Sequence, residues 1–276
     1  MTIIASLLRN AHLPDSPTER LDAELLLAAA LGKSRSYLHT WPERIVSREA
    51  ADTYDAWIER RRTGEPVAYI LGQQGFWKLD LEVAPHTLIP RPDTELLVES
   101  ALQRLPAQAA RVLDLGTGSG AIALALASER PAWQVMAVDR IEQAVALAER
   151  NRQRLHLDNV QVRTSHWFDA LDGERFDLIL SNPPYIAAHD PHLSAGDLRF
   201  EPSSALVAGH DGLDDLRLIV AQAPRYLLPG GWLMLEHGFD QASAVRALMQ
   251  DSQFVEVASH RDLGGHERIS LGRLPC

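Results

Sequence analysis

Cysteine is almost missing from this sequence: its single copy, Cys276, is the last residue. No intrachain disulfide can form and no cysteine-based metal site can be built, so a reducing cytoplasm is the expected compartment. Long apolar runs are missing too, because stretches such as 121–127 and 25–31 are far too short to cross a bilayer. The first residues lack a basic start and a long apolar core, so the sequence predicts neither export nor a membrane anchor.

Positive charge is also scarce. The chain has 27 Lys and Arg against 37 Asp and Glu, which gives a formal net charge of −10. Binding to phosphate backbones depends on a surplus of cations, so no stable complex with nucleic acid is expected. The cluster Arg60 to Arg62 is typical of a solvated helix end, and we assign it no function.

The chain has enough length and apolar content for one large domain and one smaller one: it has 276 residues, of which 46% are hydrophobic. Apolar positions at helical spacing predict an all-helical domain over residues 1–70. Strand-like alternation between glycines, followed by prolines, predicts a hairpin or linker over 71–92. Residues 93–276 form the second predicted domain.

This second domain alternates strands with helices, which predicts a doubly wound α/β sheet. The predicted parallel strands cover residues 111–115, 134–138, 160–163, 177–181 and 232–236. The last two predicted strands, 254–259 and 268–271, are too close in sequence for a parallel crossover. We therefore expect them to form an antiparallel edge.

A glycine-rich loop follows the first predicted strand of the sheet. It reads Asp114-Leu-Gly-Thr-Gly-Ser-Gly120 and opens a helix, where glycines let backbone N–H groups approach a ligand closely. Asp139 ends the second strand, where an acid commonly accepts hydrogen bonds from ribose hydroxyls. Together they predict a nucleotide-type cofactor site formed by Gly116, Thr117, Gly118, Ser119, Gly120 and Asp139.

The loop by itself leaves the cofactor open. Gly116, Gly118 and Ala121 also satisfy the relaxed dinucleotide fingerprint, and Arg140 stands where the 2′-phosphate of NADP could be bound. An NADP-dependent dehydrogenase is therefore a rival. An acid two residues before the first glycine and a Gly-x-Gly-x-Gly run are more typical of S-adenosylmethionine sites.

The run Asn182-Pro183-Pro184-Tyr185 follows the fourth predicted strand, beside the expected cofactor crevice. A planar amide has two N–H donors, which the Asn182 side-chain carbonyl and the Pro183 backbone carbonyl could accept. Neither proline carries a competing N–H, and Pro184 keeps Pro183 extended. Tyr185 can stack on the flat amide. The motif predicts a methyltransferase that acts on an amide-like nitrogen by positioning it, without a strong general base.

With these motifs, the chain closely resembles the bacterial protein-glutamine methyltransferases of the HemK/PrmC type over nearly its whole length. Further shared segments are Tyr69-Ile-Leu-Gly72, Ile89-Pro-Arg-Pro-Asp-Thr-Glu95, Arg199-Phe-Glu-Pro202 and Leu235-Glu-His-Gly238. The resemblance implies a seven-stranded, Rossmann-like class I methyltransferase domain behind a small helical domain. It also implies methyl transfer from S-adenosylmethionine, without a metal, to the glutamine of the Gly-Gly-Gln loop in class-one peptide chain release factors.

The resemblance also implies roles for single residues. The loop from Gly116 to Gly120 would hold the methionine part of the cofactor, Asp139 the ribose and Trp167 the adenine, while Asn182 would touch cofactor and substrate. His166 departs from the family, which usually has an acid there, so the adenine contact is expected to differ. We expect a monomer that uses its helical domain to recognise the release factor.

Several motif residues keep two interpretations each: Arg91, Asp93, Glu95, Glu201 and Glu236 could face the substrate, cap a helix or form ion pairs. Two further functions also stay open. Asn-Pro-Pro-Tyr is shared with DNA adenine methyltransferases, so adenine-N6 methylation of a nucleic acid is one alternative. A non-catalytic protein that binds S-adenosylmethionine is the other.

Overall fold

A computed structural model describes residues 2–194 and 196–276 of the chain. By packing, the chain divides into two compact units. The first comprises Met1–Gln73 together with Pro191–Phe200, and the second comprises Gln74–Asp190 together with Glu201–Cys276. No helix among the described residues is both long and apolar enough to span a membrane.

The first unit is helical. Its helices are α1 (Ile4–Asn10), α2 (Glu19–Leu31), α3 (Arg35–Thr40), α4 (Arg48–Arg62) and α5 (Val67–Leu71). Gly32, with a φ of 60°, ends α2, and the Ser34 and Ser47 side chains cap the starts of α3 and α4. Leu27 and Tyr54 are buried in the apolar core between the helices.

A buried cation joins the segment 191–200 to these helices. Arg61 is 8% exposed, and its Nε donates to Asp22 Oδ2 at 2.7 Å while its Nη1 donates to Asp197 Oδ1 at 3.0 Å. Since a buried guanidinium is costly without partners, both carboxylates are needed to keep Arg61 in the core. The segment thereby becomes part of the helical unit.

The second unit begins with a hairpin and continues as an α/β sandwich. The hairpin strands are β1 (Gln73–Phe76) and β2 (Leu79–Glu82). The strands of the large sheet are β3 (Arg111–Leu115), β4 (Gln134–Asp139), β5 (Val160–Thr164), β6 (Phe176–Ser181), β7 (Leu227–Glu236), β8 (Val255–Arg261) and β9 (Glu267–Arg273). The helices are α6 (Glu95–Arg104), α7 (Ala121–Glu129), α8 (Glu142–Arg154), α9 (Asp214–Gln222) and α10 (Ala242–Asp251).

The large sheet has the order β5-β4-β3-β6-β7-β9-β8. Neighbouring strands are parallel from β5 to β7, and β9 pairs antiparallel with both β7 and β8. Alternate residues of a strand pack into two apolar cores, one on each face of the sheet. Val112 faces α6 and α7, whereas Leu113 faces α9 and α10. The predicted doubly wound, seven-stranded fold with an antiparallel edge is confirmed.

One strand differs clearly from the prediction. β7 begins at Leu227 and not at residue 232, although Pro229, Gly230 and Gly231 read as a break in the sequence. The chain passes this stretch through an irregularity in register opposite Phe176. A bulge tolerates proline and glycine inside a strand, which is why the local sequence predicted a later start.

Candidate active site

A cleft lies at the carboxyl ends of β3, β4 and β6, where ligands bind in open parallel sheets. It encloses about 900 Å³, including its open mouth. Most of the predicted site residues line it: Gly116, Thr117, Gly118, Ser119, Asp139, Trp167, Asn182 and Pro184. The others lie beside it: Gly120 precedes α7, Pro183 is buried, and Tyr185 packs against the core under α9.

The glycine loop adopts a backbone that other residues avoid. The φ angles are 71° at Gly116, 56° at Gly118 and 88° at Gly120, all in the left-handed region. A Cβ on Gly116 would lie 3.3 Å from the Trp167 ring, and one on Gly120 would lie 2.9 Å from Leu124 Cδ1. The loop therefore forms a narrow cradle between the sheet and the indole, and a flat or extended ligand part fits there.

Asp139 braces this cradle from the end of β4. Its Oδ2 accepts from the Gly118 N–H at 3.0 Å, and its Oδ1 accepts from the Ile141 N–H at 2.9 Å. A carboxylate has about four lone-pair positions, so each oxygen can accept a further hydrogen bond. The carboxylate lines the cleft and is suited to a diol such as a ribose.

Asp114 supports the loop from below. It is fully buried, and its Oδ2 accepts from Thr117 Oγ1 at 2.6 Å and from the Ala123 N–H at 3.2 Å. Burial raises the pKa of this carboxyl to about 7, and the charge of Asp139 adds to the increase. Asp114 does not line the cleft, so we assign it to holding the turn.

Trp167 closes the far side of the cleft. It is 8% exposed and has a φ of 48°, and its carbonyl accepts from Ser165 Oγ at 2.9 Å. His166 also lines the cleft, with Nδ1 3.4 Å from Asp169 Oδ2. His166, where the resemblance leads us to expect an acid, thus stands next to a carboxylate three residues further on.

The Asn182 side chain is oriented by a residue far away in the sequence. Its Nδ2 donates to Thr94 Oγ1 at 3.1 Å, which leaves the Asn182 carbonyl oxygen as an acceptor on the opposite side of the amide. Thr94 is buried and lies in the turn that precedes α6. Sequence reasoning missed Thr94, although it belongs to the segment Ile89 to Glu95 that carries the resemblance.

Glu236 is one of the residues whose role the sequence left open. It ends β7, is 2% exposed, and accepts from the Tyr185 hydroxyl at 3.3 Å through Oε1. Burial raises the pKa of this carboxyl to about 7, whereas the hydroxyls of Thr94 and Tyr185 lower it. Burial likewise raises the pKa of the Tyr185 phenol. Glu236 therefore lies beside Tyr185, at the end of the segment Asn182 to Tyr185.

Among the other ambiguous residues, Asp93 is exposed, whereas Arg91, Glu95 and Glu201 lie in structural contacts. Arg91 Nη2 donates to both oxygens of Glu201 at 2.8 Å, and the side chain of Glu201 is fully buried. Glu95 Oε1 accepts from the Trp77 N–H at 2.7 Å and so ties α6 to the β1–β2 hairpin. The segment before α6 is thereby fixed at both ends, which places Thr94 firmly beside Asn182.

The sheet order, the antiparallel last pair and the glycine cradle at the parallel strand ends define a class I methyltransferase. Residues 4–72 match the PrmC N-terminal domain, and residues 92–209 match the methyltransferase small domain. The release factor glutamine methyltransferase of Pseudomonas aeruginosa is 72% identical over 276 residues, which is 100% of both chains. The Escherichia coli protein of that name is 50% identical, covering 95% of each chain. The chain therefore belongs to the release factor glutamine methyltransferase family.

Solved structures agree on the fold. A methyltransferase from Pyrococcus furiosus matches with a TM-score of 0.57 at 18% identity, over 80% of this chain and 98% of its own. A 16S rRNA N2 G1207 methyltransferase from T. thermophilus, solved with AdoMet and guanosine, gives a TM-score of 0.53 at 21% identity, over 73% of this chain and 49% of its own. At this identity the likeness supports the architecture alone, and the resemblance noted from the motifs is confirmed by the close relatives.

Proposed function

We propose that the chain transfers a methyl group from S-adenosylmethionine to the side-chain amide nitrogen, N5, of the glutamine in the Gly-Gly-Gln loop of class-one release factors. The observation that carries the proposal is the orientation of Asn182, whose NH₂ group is engaged by Thr94 while its carbonyl stays available as an acceptor. The side-chain amide of glutamine, like that of asparagine, offers two N–H donors on one planar nitrogen, and glutamine carries it on the longer arm. The names of the close relatives support the same substrate.

The cofactor end of the cleft fits S-adenosylmethionine in shape and chemistry. The loop of Gly116, Thr117, Gly118, Ser119 and Gly120 would hold the methionine part, since its glycines let backbone N–H groups approach a ligand closely and a Cβ on Gly116 would lie 3.3 Å from the Trp167 ring. Asp139 would accept from the ribose hydroxyls, and Trp167 would lie against the adenine. When bound, the cofactor supplies a methyl group on a sulfonium and leaves as S-adenosylhomocysteine. No residue here is assigned to a metal.

The substrate end positions the nitrogen without taking a proton early. Asn182 and the Pro183 carbonyl accept from the two N–H groups, which raises electron density on nitrogen as the new bond forms. Pro184 lines the cleft, and Tyr185 fixes the plane of the amide. The product nitrogen carries an extra proton and releases it after the transfer, so no strong base is required. Positioning and electrostatics supply the rate increase.

Different parts of the chain have different roles in this proposal. We assign release-factor recognition to residues 1–70, the connection to 71–92, and methyl transfer to 93–276. Remote contacts made by the helical part help to place the loop, so a whole factor should react faster than a short peptide. The enzyme acts as a monomer on a protein partner.

The test is a reaction of purified enzyme with S-adenosylmethionine and a purified class-one release factor, followed by digestion and mass spectrometry. We expect one methyl group, on the loop glutamine, and none on a factor that carries glutamate there. A methyl group on lysine, on arginine or on a chain terminus, with the loop glutamine untouched, would contradict the proposal. Double-stranded DNA at low salt is the control for adenine methylation, and we expect no transfer to it.

A further inference from the structure

The segment between the β1–β2 hairpin and α6 runs along one wall of the cleft. His86 and Thr87 line the cleft near the start of this segment, and Thr94 lines it near the end. Thr94 is hydrogen-bonded to Asn182, whereas the Cβ of Thr87 lies 3.9 Å from the position that a Cβ on Gly118 would take. His86, the neighbour of Thr87, therefore lies at the end of the cleft that the glycine loop forms.

A buried asparagine fixes this part of the wall to the glycine loop. Asn151 is 0% exposed, and its Nδ2 donates to the Ser119 carbonyl at 2.9 Å and to the Glu82 carbonyl at 3.0 Å. Its Oδ1 accepts from the Glu82 N–H at 2.8 Å. The N–H and the hydroxyl of Thr87 then donate to the Ala84 carbonyl at 3.0 and 3.1 Å, which closes a turn. The histidine in this turn is thus held at a fixed place beside the loop.

One ring nitrogen of this histidine is buried without a partner. His86 Nε2 makes no hydrogen bond to any residue within 2–194 and 196–276. Buried polar atoms in native proteins are nearly always hydrogen-bonded, because they lose their water without compensation otherwise. Since His86 lines the cleft, a ligand in the cleft can supply the missing partner.

The start of α7 indicates the charge of that ligand group. α7 begins at Ala121, directly after the glycine loop, and Ala121 and Ile122 both line the cleft. The first N–H groups of a helix have no acceptor within the helix, and the helix dipole makes this end positive, so it favours an anion. The α-carboxylate of the methionine part is the negative group of S-adenosylmethionine, whose sulfonium and ammonium groups are cations.

We propose that His86 Nε2 donates a hydrogen bond to the α-carboxylate of S-adenosylmethionine and so fixes the methionine part of the cofactor over the glycine loop. This inference rests on the proposed function and adds a cofactor contact from outside the glycine loop. Both the Nε2–H tautomer and the imidazolium carry the proton that this bond needs. The contact is the same before and during methyl transfer, so His86 supports cofactor binding and not the chemical step.

The experiment compares two ligands that differ in the carboxylate. S-adenosylmethionine has this group, whereas decarboxylated S-adenosylmethionine keeps the adenine, ribose, sulfonium and ammonium groups without it. Competition against labelled S-adenosylmethionine measures the Kd of both ligands. We expect His86→Ala to raise the Kd of S-adenosylmethionine about 10-fold, because a charge-assisted hydrogen bond is lost. The Kd of the decarboxylated ligand should stay within about twofold.

Two further variants test the role of the ring nitrogen. His86→Gln keeps an N–H donor on a side chain of similar reach, so it should bind S-adenosylmethionine more tightly than His86→Ala does. His260→Ala is the matched control: His260 is also half-buried and is hydrogen-bonded to Ser100 Oγ through Nδ1 at 2.9 Å, but it lies outside the cleft. We expect this control to leave both Kd values unchanged.

The outcomes separate the two proposals. A wild type that binds S-adenosylmethionine but methylates no glutamine overturns the proposed function and leaves the Kd comparison in place. A His86→Ala variant that keeps the wild-type Kd for S-adenosylmethionine overturns the inference alone. An equal rise in Kd for both ligands also overturns it, because His86 would then contact a group other than the carboxylate. Should His86→Ala fail to fold, His86→Phe takes its place, since phenylalanine keeps a ring and lacks both nitrogens.

Discussion

The two ends of the cleft are built from different parts of the polypeptide. At the proposed cofactor end the cleft surface is mainly backbone, formed by Gly116 and Gly118 and braced by Asp139. At the proposed substrate end it is formed by side chains, among which Asn182 is oriented by Thr94. A backbone cradle depends on the shape of one loop, whereas the oriented amide depends on partners brought together by the whole fold.

The largest expected effect is that of a substitution at the proposed substrate end, where side chains form the cleft. We expect Asn182→Ala to lower kcat by roughly 10³-fold, because a positioned acceptor for the developing charge is lost. Cofactor affinity should change much less, since the backbone cradle is untouched. Asn159→Ala is the matched control, because that side chain donates to the carbonyls of Ala127, Arg130 and Trp133 and lies outside the cleft. Steady-state kinetics with cofactor titration measures both, and a similar loss of kcat in both variants would contradict the assignment.

The same difference explains how much could be predicted from the sequence. The glycine loop and Asp139 form local patterns, so the cofactor end and the parallel sheet could be inferred from spacing alone. Thr94 lies 88 residues from Asn182, and Glu236 lies 51 residues from Tyr185. No local pattern reports such pairs, because they arise from the order of the strands.

The segment 191–200 is a further case of the same kind. It belongs to the helical unit, to which Asp197 is joined by its ion pair with Arg61, 136 residues away. Composition and periodicity describe neighbours along the chain, so they carry no information about this ion pair. The start of β7 at Leu227 was missed for a different reason, since glycines that usually end a strand are accommodated there by an irregular pairing.

Each end also contains one fully buried acid, and the two should make stability depend on pH. Burial raises the pKa of Asp114 and of Glu236 to about 7, from ordinary values of 3.8 and 4.5. The folded state therefore binds these protons more tightly than the unfolded chain. Their stabilising contribution is complete below about pH 4 and is lost as the pH rises through about 7, on the order of 3 kcal/mol for each acid.

Denaturant titrations of the cofactor-free protein at about pH 5 and about pH 8 give the free energy of unfolding at each pH. The fall between the two pH values is then compared between the wild type and each variant. We expect Asp114→Asn and Glu236→Gln each to remove about half of the loss of stability that the two acids cause together. The difference cancels the opposing contribution of His237 and His260, whose pKa values burial lowers. A pH dependence identical in the wild type and both variants would show that neither acid is protonated in the folded state.

A smaller effect is expected when the brace of the cofactor end is removed. Asp139→Ala should raise the Kd for S-adenosylmethionine roughly 10–100-fold while kcat at saturation changes little, because a ribose contact is equal in ground and transition states. Asp177→Ala is the control, since that carboxylate also accepts from a backbone N–H, of Arg111, but lies outside the cleft. Isothermal titration and single-turnover rates measure the two quantities. A lower kcat with an unchanged affinity for S-adenosylmethionine would contradict this and would assign Asp139 to the chemical step.

The smallest expected effect is a difference in folding stability between two glycine-to-alanine variants. It separates the strain of a positive φ from the crowding of an added Cβ in the glycine loop. Gly120 and Gly173 both have positive φ, 88° and 79°, so alanine at either position should cost about 1 kcal/mol of strain. A Cβ at Gly173 meets nothing within 4 Å, whereas one at Gly120 lies 2.9 Å from Leu124 Cδ1 and 3.3 Å from Ala148 Cβ. Overpacking should therefore add about 1–2 kcal/mol to Gly120→Ala alone. Urea unfolding of the cofactor-free variants measures this difference in the free energy of unfolding. If both variants lose the same amount, the loop accommodates an extra methyl group at position 120. Gly120 would then be required for its backbone conformation and not for lack of space.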